Sequence, residues 1–244
     1  MSIKFINRRS NKKSEVNNNL KKFKRLATNT NLSIYDHTAY MGLNVMEDEG
    51  PFIEEYLDKL YKIMHTAVNH HPRTLAIRFE LNFPVGYSLP VSNEIISKFV
   101  KSMKYRICLD RARARSAGRA HNTGIHYVWA KETAGSCFPH YHVLLLLSND
   151  AYKGFGCFKS RTSLYGLLRK AWAVALGLSW GESKGLVHAS RNKKYKGPAT
   201  YCINFANQEG YSVFERVFKR SSYLCKARTK VYQDRLRSFG SSQI

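Results

Sequence analysis

Acidic residues are scarce in this chain: 17 Asp and Glu stand against 40 Lys and Arg in 244 residues, a formal charge of +23 with histidine neutral. That excess is far beyond what solubility needs and implies a polyanionic partner, of which nucleic acid is the commonest. Long apolar runs are missing too. The longest, such as residues 143–147, fall far short of the roughly 20 residues that span a bilayer, so no membrane partner is expected. The N-terminus is basic and rich in Asn and Ser, without the apolar stretch and cleavage site of a secretory signal, which predicts a cytoplasmic location. The five cysteines, Cys108, Cys137, Cys157, Cys202 and Cys225, never form a C-x-x-C pair. Their odd number and scatter argue against a disulfide framework or a structural zinc cluster and predict reduced, mostly buried thiols. No Gly-rich phosphate loop of the G-x-x-x-x-G-K-S/T type occurs, so no fused helicase is expected and unwinding falls to a partner.

What is present reads as one domain with an appendage. Residues 1–33 are expected to be a flexible basic arm: Lys12, Lys13, Lys21, Lys22, Lys24 and Arg25 stand among Asn and Ser with few large apolar residues. Residues 34–244 form the folded part. There Phe52, Tyr56, Leu60, Ile63 and Met64 recur at helical spacing up to His71-Pro72. Residues 74–82 (TLAIRFELN) read as a strand, and Ser92 with Glu94 opens a helix through Ile95, Phe99 and Met103. Residues 123–131 and 141–147 predict an antiparallel hairpin with a long loop. Leu164, Leu167, Leu168, Trp172 and Leu176 mark a helix, residues 185–189 a short strand, and residues 211–228 a last helix. This order predicts an α+β fold, an antiparallel sheet with helices packed on it.

Two groups of residues carry chemistry. In Pro139-His140-Tyr141-His142 strand geometry points both imidazoles to one face, where they can share a metal ion. An H-x-H pair alone is a common accident, but Glu132 ends the preceding strand, and the hairpin can return its carboxylate to the pair as a third, hard ligand. Two nitrogens, one oxygen and open positions suit Mg2+ or Mn2+ holding a phosphate. Read in isolation, Glu132 is equally well explained as a solvated strand-end charge. The second group is Tyr223-Leu224-Cys225-Lys226. With Phe214, Val217, Phe218, Ser221 and Cys225 as the core face of the last helix, Tyr223 falls on the side of Lys219, Lys226 and Lys230. A phenol with a pKa of about 10 is a poor nucleophile at neutral pH and needs such cations or a metal-polarised target; most tyrosines simply pack their rings. Arg111, Arg113, Arg115 and Arg119, and Lys193, Lys194 and Lys196 around Tyr195, read as phosphate contacts, as do Lys219 and Lys230, or equally as solvated charge. Phe79, Tyr127 and Trp129 are expected in the core rather than stacked on bases.

Taken together, AIRFELN, then Glu132 with PHYH, then YLCK resemble in type and order the three motifs of HUH replication endonucleases. WAKE before PHYHVLLLL, and SYLCKARTK followed by RSFGSS, are more specifically similar to the inovirus gene-two protein family, the YagK/YfjJ C-terminal type of filamentous phages and prophages. The likeness runs from about Pro51 to the C-terminus. It implies that His140, His142 and Glu132 bind a divalent metal, and that Tyr223, with Lys226 as its partner, becomes joined to the 5′ phosphate of nicked DNA. It further implies rolling-circle replication in a bacterial host, on single-stranded or supercoiled origin DNA, with host helicase and polymerase. Residues 219, 220, 226 and 227 are Lys, Arg, Lys and Ala, so a single-tyrosine mechanism is expected. The rival reading is a non-catalytic nucleic-acid-binding regulator using the same basic sheet. A plasmid-transfer relaxase ranks third, because the histidine triad usual in that class is not supplied by PHYH with Glu132.

Overall fold

The computed structural model describes residues 24–88, 92–119, 121–132, 139–190, 197–230 and 236–243. Short strands open the chain: β1 Arg25–Leu26, β2 Asn29–Tyr35, β3 Ala39–Tyr40, β4 Leu43–Asn44 and β5 Phe52–Ile53. Then follow α1 Glu54–His70, β6 Arg73–Asn82, α2 Glu94–Ser116, β7 His126–Glu132, β8 His140–Ser148, α3 Leu164–Leu176, β9 Val187–Ala189, β10 Thr200–Asn204, α4 Gly210–Ser222 and β11 Phe239–Ser241. The main sheet runs β10-β6-β8-β7-β11, and β9 also pairs with β6. Every pairing in it is antiparallel.

Strand alternation sorts side chains onto two faces. Leu75, Ile77, Phe79, Leu81, Tyr127, Trp129, Tyr141, Val143, Leu145 and Leu147 form one buried cluster with α2 and α3. Ala76, Val128, Ala130, Leu144 and Leu146 form the other with α1 and α4. Helices cover both faces, so the central strand can be apolar at every position, as the VLLLL run of β8 is. The mixed α+β class and the predicted hairpin are as expected. So are the two helices with clear end signals: Ser163 accepts from Gly166 N at 3.1 Å to cap α3, which stops at Gly177 with φ 72°, and Ser92 Oγ accepts from Glu94 N at 3.2 Å where α2 begins. Phe79, Tyr127 and Trp129 lie in the core as expected.

Three expectations need correction. Residues 1–23 lie outside the described residues, but β1 and most of β2 fall within the span read as a flexible arm; Ser33 N donates to both carboxylate oxygens of Glu55 at 3.0 and 2.9 Å, tying this hairpin to the first turn of α1. The last helix ends at Ser222 rather than at residue 228. The thiols are mostly exposed: Cys108, Cys157 and Cys202 are free and at the surface, and Cys225 is buried. Cys202 is exposed on edge strand β10, on the opposite face from the buried Ile203; Cys137 lies outside the described residues. No helix among those described is long and apolar enough to cross a membrane.

Candidate active site

Residues 140 and 142 share the sheet face that carries Leu144 and Leu146, so both imidazoles point to the α1/α4 side. The register puts Glu132 of β7 directly opposite His140, and Glu80 of β6 directly opposite His142. His140 Nε2 lies 3.1 Å from His142 Nε2, and His142 Nε2 lies 3.2 Å from Glu132 Oε2. One ligand atom from each of Glu132, His140 and His142 falls within 4.8 Å of the others, the only such three-residue group among the described residues.

Tyr223 reaches this point because α4 does not continue through it. A 3-10 turn, Tyr223–Cys225, closes the helix, Lys226 takes an extended conformation, and Ala227 N donates to Pro51 O at 2.8 Å while Lys226 bridges to Phe52. Docking of this segment on β5 outcompetes another turn of helix. The Tyr223 hydroxyl donates to Glu132 Oε2 at 3.3 Å, and its ring stands edge-on to His142, centroids 5.1 Å apart. Lys226 Nζ sits 3.5 Å from the Tyr223 ring centroid and 3.0 Å from Glu132 Oε2. Lys230 Nζ is 3.5 Å from Glu132 Oε1, which also accepts from Thr229 Oγ1 at 3.2 Å. Buried Arg78 donates to Arg220 O at 2.7 Å with its guanidinium carbon 5.5 Å from the Tyr223 centroid. Arg220 in turn donates to the carbonyls of Ser190 and Pro198, securing α4 to the ends of β9 and β10.

Charges here are strongly coupled. Burial opposes ionisation of Glu132, but the His142 hydrogen bond and the charges of Lys230 and Lys226 outweigh it and hold the carboxyl far below its usual range. Contact with His142, against the effect of burial, holds Glu80 at about 2. Burial pushes Lys230 down to about 8 and shifts Lys226 the same way, with Glu132 resisting both. His140 is pushed down by burial and by His142, which favours the neutral imidazole a metal needs. Burial, then Glu132 and Glu49, raise the Tyr223 phenol above its ordinary value, so the hydroxyl keeps its proton at neutral pH.

His140, His142, Glu132, Tyr223 and Lys226 are thus brought together; the proposed phosphate contacts are not. Lys230, expected at the DNA face, is 6% exposed and is a counter-ion of Glu132. Arg111 is tied to Asp110 at 2.6 Å and to Ala151 O at 3.2 Å, beyond Ser148 at the end of β8 remote from His140. Arg113, Arg115 and Arg119 are exposed. The first two lie on the last turns of α2, which packs on the other face of the sheet. Lys219 is exposed one turn before Tyr223, whereas Lys193, Lys194 and Lys196 lie outside the described residues. Sequence reasoning missed Glu80 and Arg78. Their signal was parity: two charges on one face of an otherwise apolar strand, the face that register assigns to His142.

The profile of the YagK/YfjJ C-terminal domain matches residues 35–242. The chain is 30% identical over 204 residues to the uncharacterized protein YagK of Escherichia coli (strain K12), covering 80% of this chain and 95% of YagK. It is 24% identical over 206 residues to the uncharacterized protein YfjJ of the same strain, covering 80% and 96%. A solved structure of the minute virus of mice non-structural protein-1 N-terminal nuclease domain, described as having a unique Zn2+ coordination in its active-site pocket and a novel mode of DNA recognition at the origin of replication, aligns at 13% identity with a TM-score of 0.27. That alignment covers 63% of this chain and 82% of the viral one, a superposition too loose to support any inference.

Proposed function

The chain belongs to the YagK/YfjJ C-terminal domain family, and for this member we propose a metal-dependent, site-specific DNA endonuclease that nicks single-stranded origin DNA through a 5′-phosphotyrosine intermediate. One observation carries the reading: the Tyr223 hydroxyl and His142 Nε2 converge on the same carboxylate oxygen, Glu132 Oε2, at 3.3 and 3.2 Å. A nucleophile and a ligand set for a divalent ion therefore address one point. The donor set, two imidazole nitrogens and one carboxylate oxygen, fits Mg2+ or Mn2+, and half-exposed His140 leaves the group open on one side.

His140, His142 and Glu132 would hold a divalent ion, which would supply Lewis-acid polarisation of a phosphoryl oxygen and offset the Glu132 charge that keeps the phenol protonated. Tyr223 Oη attacks phosphorus in line; the Oη–P bond forms as the P–O3′ bond breaks, and the phenolic proton is balanced by that of the released 3′-hydroxyl. That hydroxyl primes synthesis. The 5′ end stays on Tyr223 until another 3′-hydroxyl reverses the exchange, so the bond energy is conserved through a rolling circle. Lys226 holds its ammonium against both the ring and Glu132, where it fixes the tyrosine and limits negative charge around it. The same reading makes the protein a replication initiator of a phage or prophage related to the inovirus gene-two type, acting with the host helicase and polymerase in a bacterial cytoplasm.

The test is cleavage of a panel of labelled single-stranded DNAs with Mn2+ or with chelator. The proposal expects sequence-specific nicking that chelator and the double change His140→Ala/His142→Ala both abolish. Tight, salt-sensitive binding without cleavage of any substrate favours the non-catalytic regulator instead.

A further inference from the structure

We propose that Glu80 is a positioning residue of the metal centre: through His142 Nδ1 it fixes the ring and the tautomer that turn Nε2 toward His140 and Glu132. The inference rests on the metal-binding reading above. A neutral imidazole that ligates through one nitrogen carries its proton on the other, so the group facing that second nitrogen decides which way the ring points. His142 Nε2 is the atom 3.1 Å from His140 Nε2 and 3.2 Å from Glu132 Oε2. Its Nδ1 therefore faces the other side, toward β6, where Glu80 Oε1 lies 3.5 Å away. This nitrogen is buried and has no nearer hydrogen-bond partner among the described residues.

Glu80 is itself held in place. It stands directly opposite His142 in the β6–β8 register and opposite His188 in the β6–β9 register, and its Oε1 accepts from Ser190 Oγ at 3.0 Å. Ser190 is secured in turn by its N–H to Arg78 O at 3.0 Å. The order across the sheet is thus Ser190, Glu80, His142, then the nitrogen that meets Glu132. Glu80 does not join the ligand set, because its oxygen approaches Nδ1, on the far side of the ring from the atoms that converge. Its carboxylate matters through the ring it orients.

The experiment titrates Mn2+ into the full chain and into Glu80→Ala, Glu80→Gln and Ser190→Ala by electron paramagnetic resonance, with unfolding midpoints measured in chelator. Glu80→Ala is expected to weaken Mn2+ binding by about 10- to 100-fold, the usual effect of losing such a partner, with Glu80→Gln and Ser190→Ala shifted less. The unfolding midpoint in chelator stays near that of the unaltered chain. Nicking by Glu80→Ala then recovers at high Mn2+, as a positioning role requires. Affinity within twofold of the unaltered chain in both Glu80→Ala and Glu80→Gln overturns the inference while leaving the centre intact. An unaltered chain that binds no Mn2+, or whose binding survives His140→Ala/His142→Ala, overturns the centre itself.

Discussion

Glu132 and Tyr223 are 91 residues apart in the chain, yet Tyr223 Oη donates to Glu132 Oε2 at 3.3 Å. The same carboxylate meets His142 Nε2, Lys226 Nζ and Lys230 Nζ, so one side chain joins the β7–β8 hairpin to the segment after α4.

Glu132→Ala should therefore affect folding as well as chemistry. It leaves Lys226 and Lys230, 4% and 6% exposed, without their shared counter-ion, and breaking a buried pair from one side costs about 3–5 kcal/mol. Chemical denaturation in chelator checks this: the midpoint should fall clearly for Glu132→Ala and less for Glu132→Gln, whose single carbonyl oxygen keeps part of the acceptor role that both carboxylate oxygens fill. An unchanged midpoint for both would mean that the carboxylate does not hold the segment.

DNA binding should separate the exposed lysine from the buried one. Lys219→Ala removes a cation one turn from Tyr223 and should flatten the salt dependence of single-strand affinity by about 0.7 of a log unit per decade of salt. Lys230→Met should leave that slope unchanged, since its ammonium faces Glu132. Equal slopes for the two variants would contradict the assignment of these lysines to different roles.

Much of this was legible in the sequence, for identifiable reasons. Period-two patterning with imidazoles at 140 and 142, and the acid ending the strand before, locate the Glu132, His140 and His142 group because a hairpin forces those residues together. α3 was readable from the helical spacing of Leu164, Leu167, Leu168, Trp172 and Leu176, which all lie within it. The end of α4 was not: residues 223–228 have ordinary helical propensity, and only pairing with Pro51 and Phe52 stops the helix. The same tertiary event buries Lys226 and Lys230, which a continuous helix presents to solvent. β10 and β11 were missed because edge strands of five and three residues carry too little pattern to stand out. Glu80 went unseen because its importance lies in β6–β8 register, which no single segment contains.

Stability should fall with acidification from the end of the sheet remote from the candidate site. His71 Nε2 accepts from Gly124 N at 2.7 Å, and His70 Nδ1 and His126 Nε2 are 3.1 Å apart. Burial, with His70 and His126 adding to it, pushes His71 down to about 4, and burial lowers His126 as well. The unfolded chain takes up the proton near pH 6.5, where the native chain does not, so stability present above that pH is lost progressively as pH falls toward 4. Thermal melts between pH 7.5 and 4.5 in chelator should show a declining midpoint, and a shallower decline for His71→Gln. Parallel curves would rule out this source.

Gly210→Ala should displace α4 from its first residue, 13 positions before Tyr223 in the chain. A Cβ there would lie 2.2 Å from Asn204 O and 2.8 Å from Phe205 Cα, backbone atoms that cannot swing aside. Overpacking of this kind costs about 1–3 kcal/mol. Since α4 leads directly into Tyr223, nicking should drop along with the unfolding midpoint; a fully stable and active variant would show that α4 tolerates a shift at its start.

The central claim is that Tyr223 forms a covalent bond to DNA beside a metal held by His140, His142 and Glu132. Incubation with Mn2+ and a panel of labelled single-stranded DNAs, followed by denaturation, proteolysis and mass spectrometry of the DNA-linked peptide, tests it most directly. The account predicts a 5′-phosphate adduct on Tyr223 that is absent from Tyr223→Phe and from reactions in chelator, with DNA affinity of the variant within about threefold, less than 1 kcal/mol. An adduct on a different residue, or unchanged nicking by Tyr223→Phe, would contradict it.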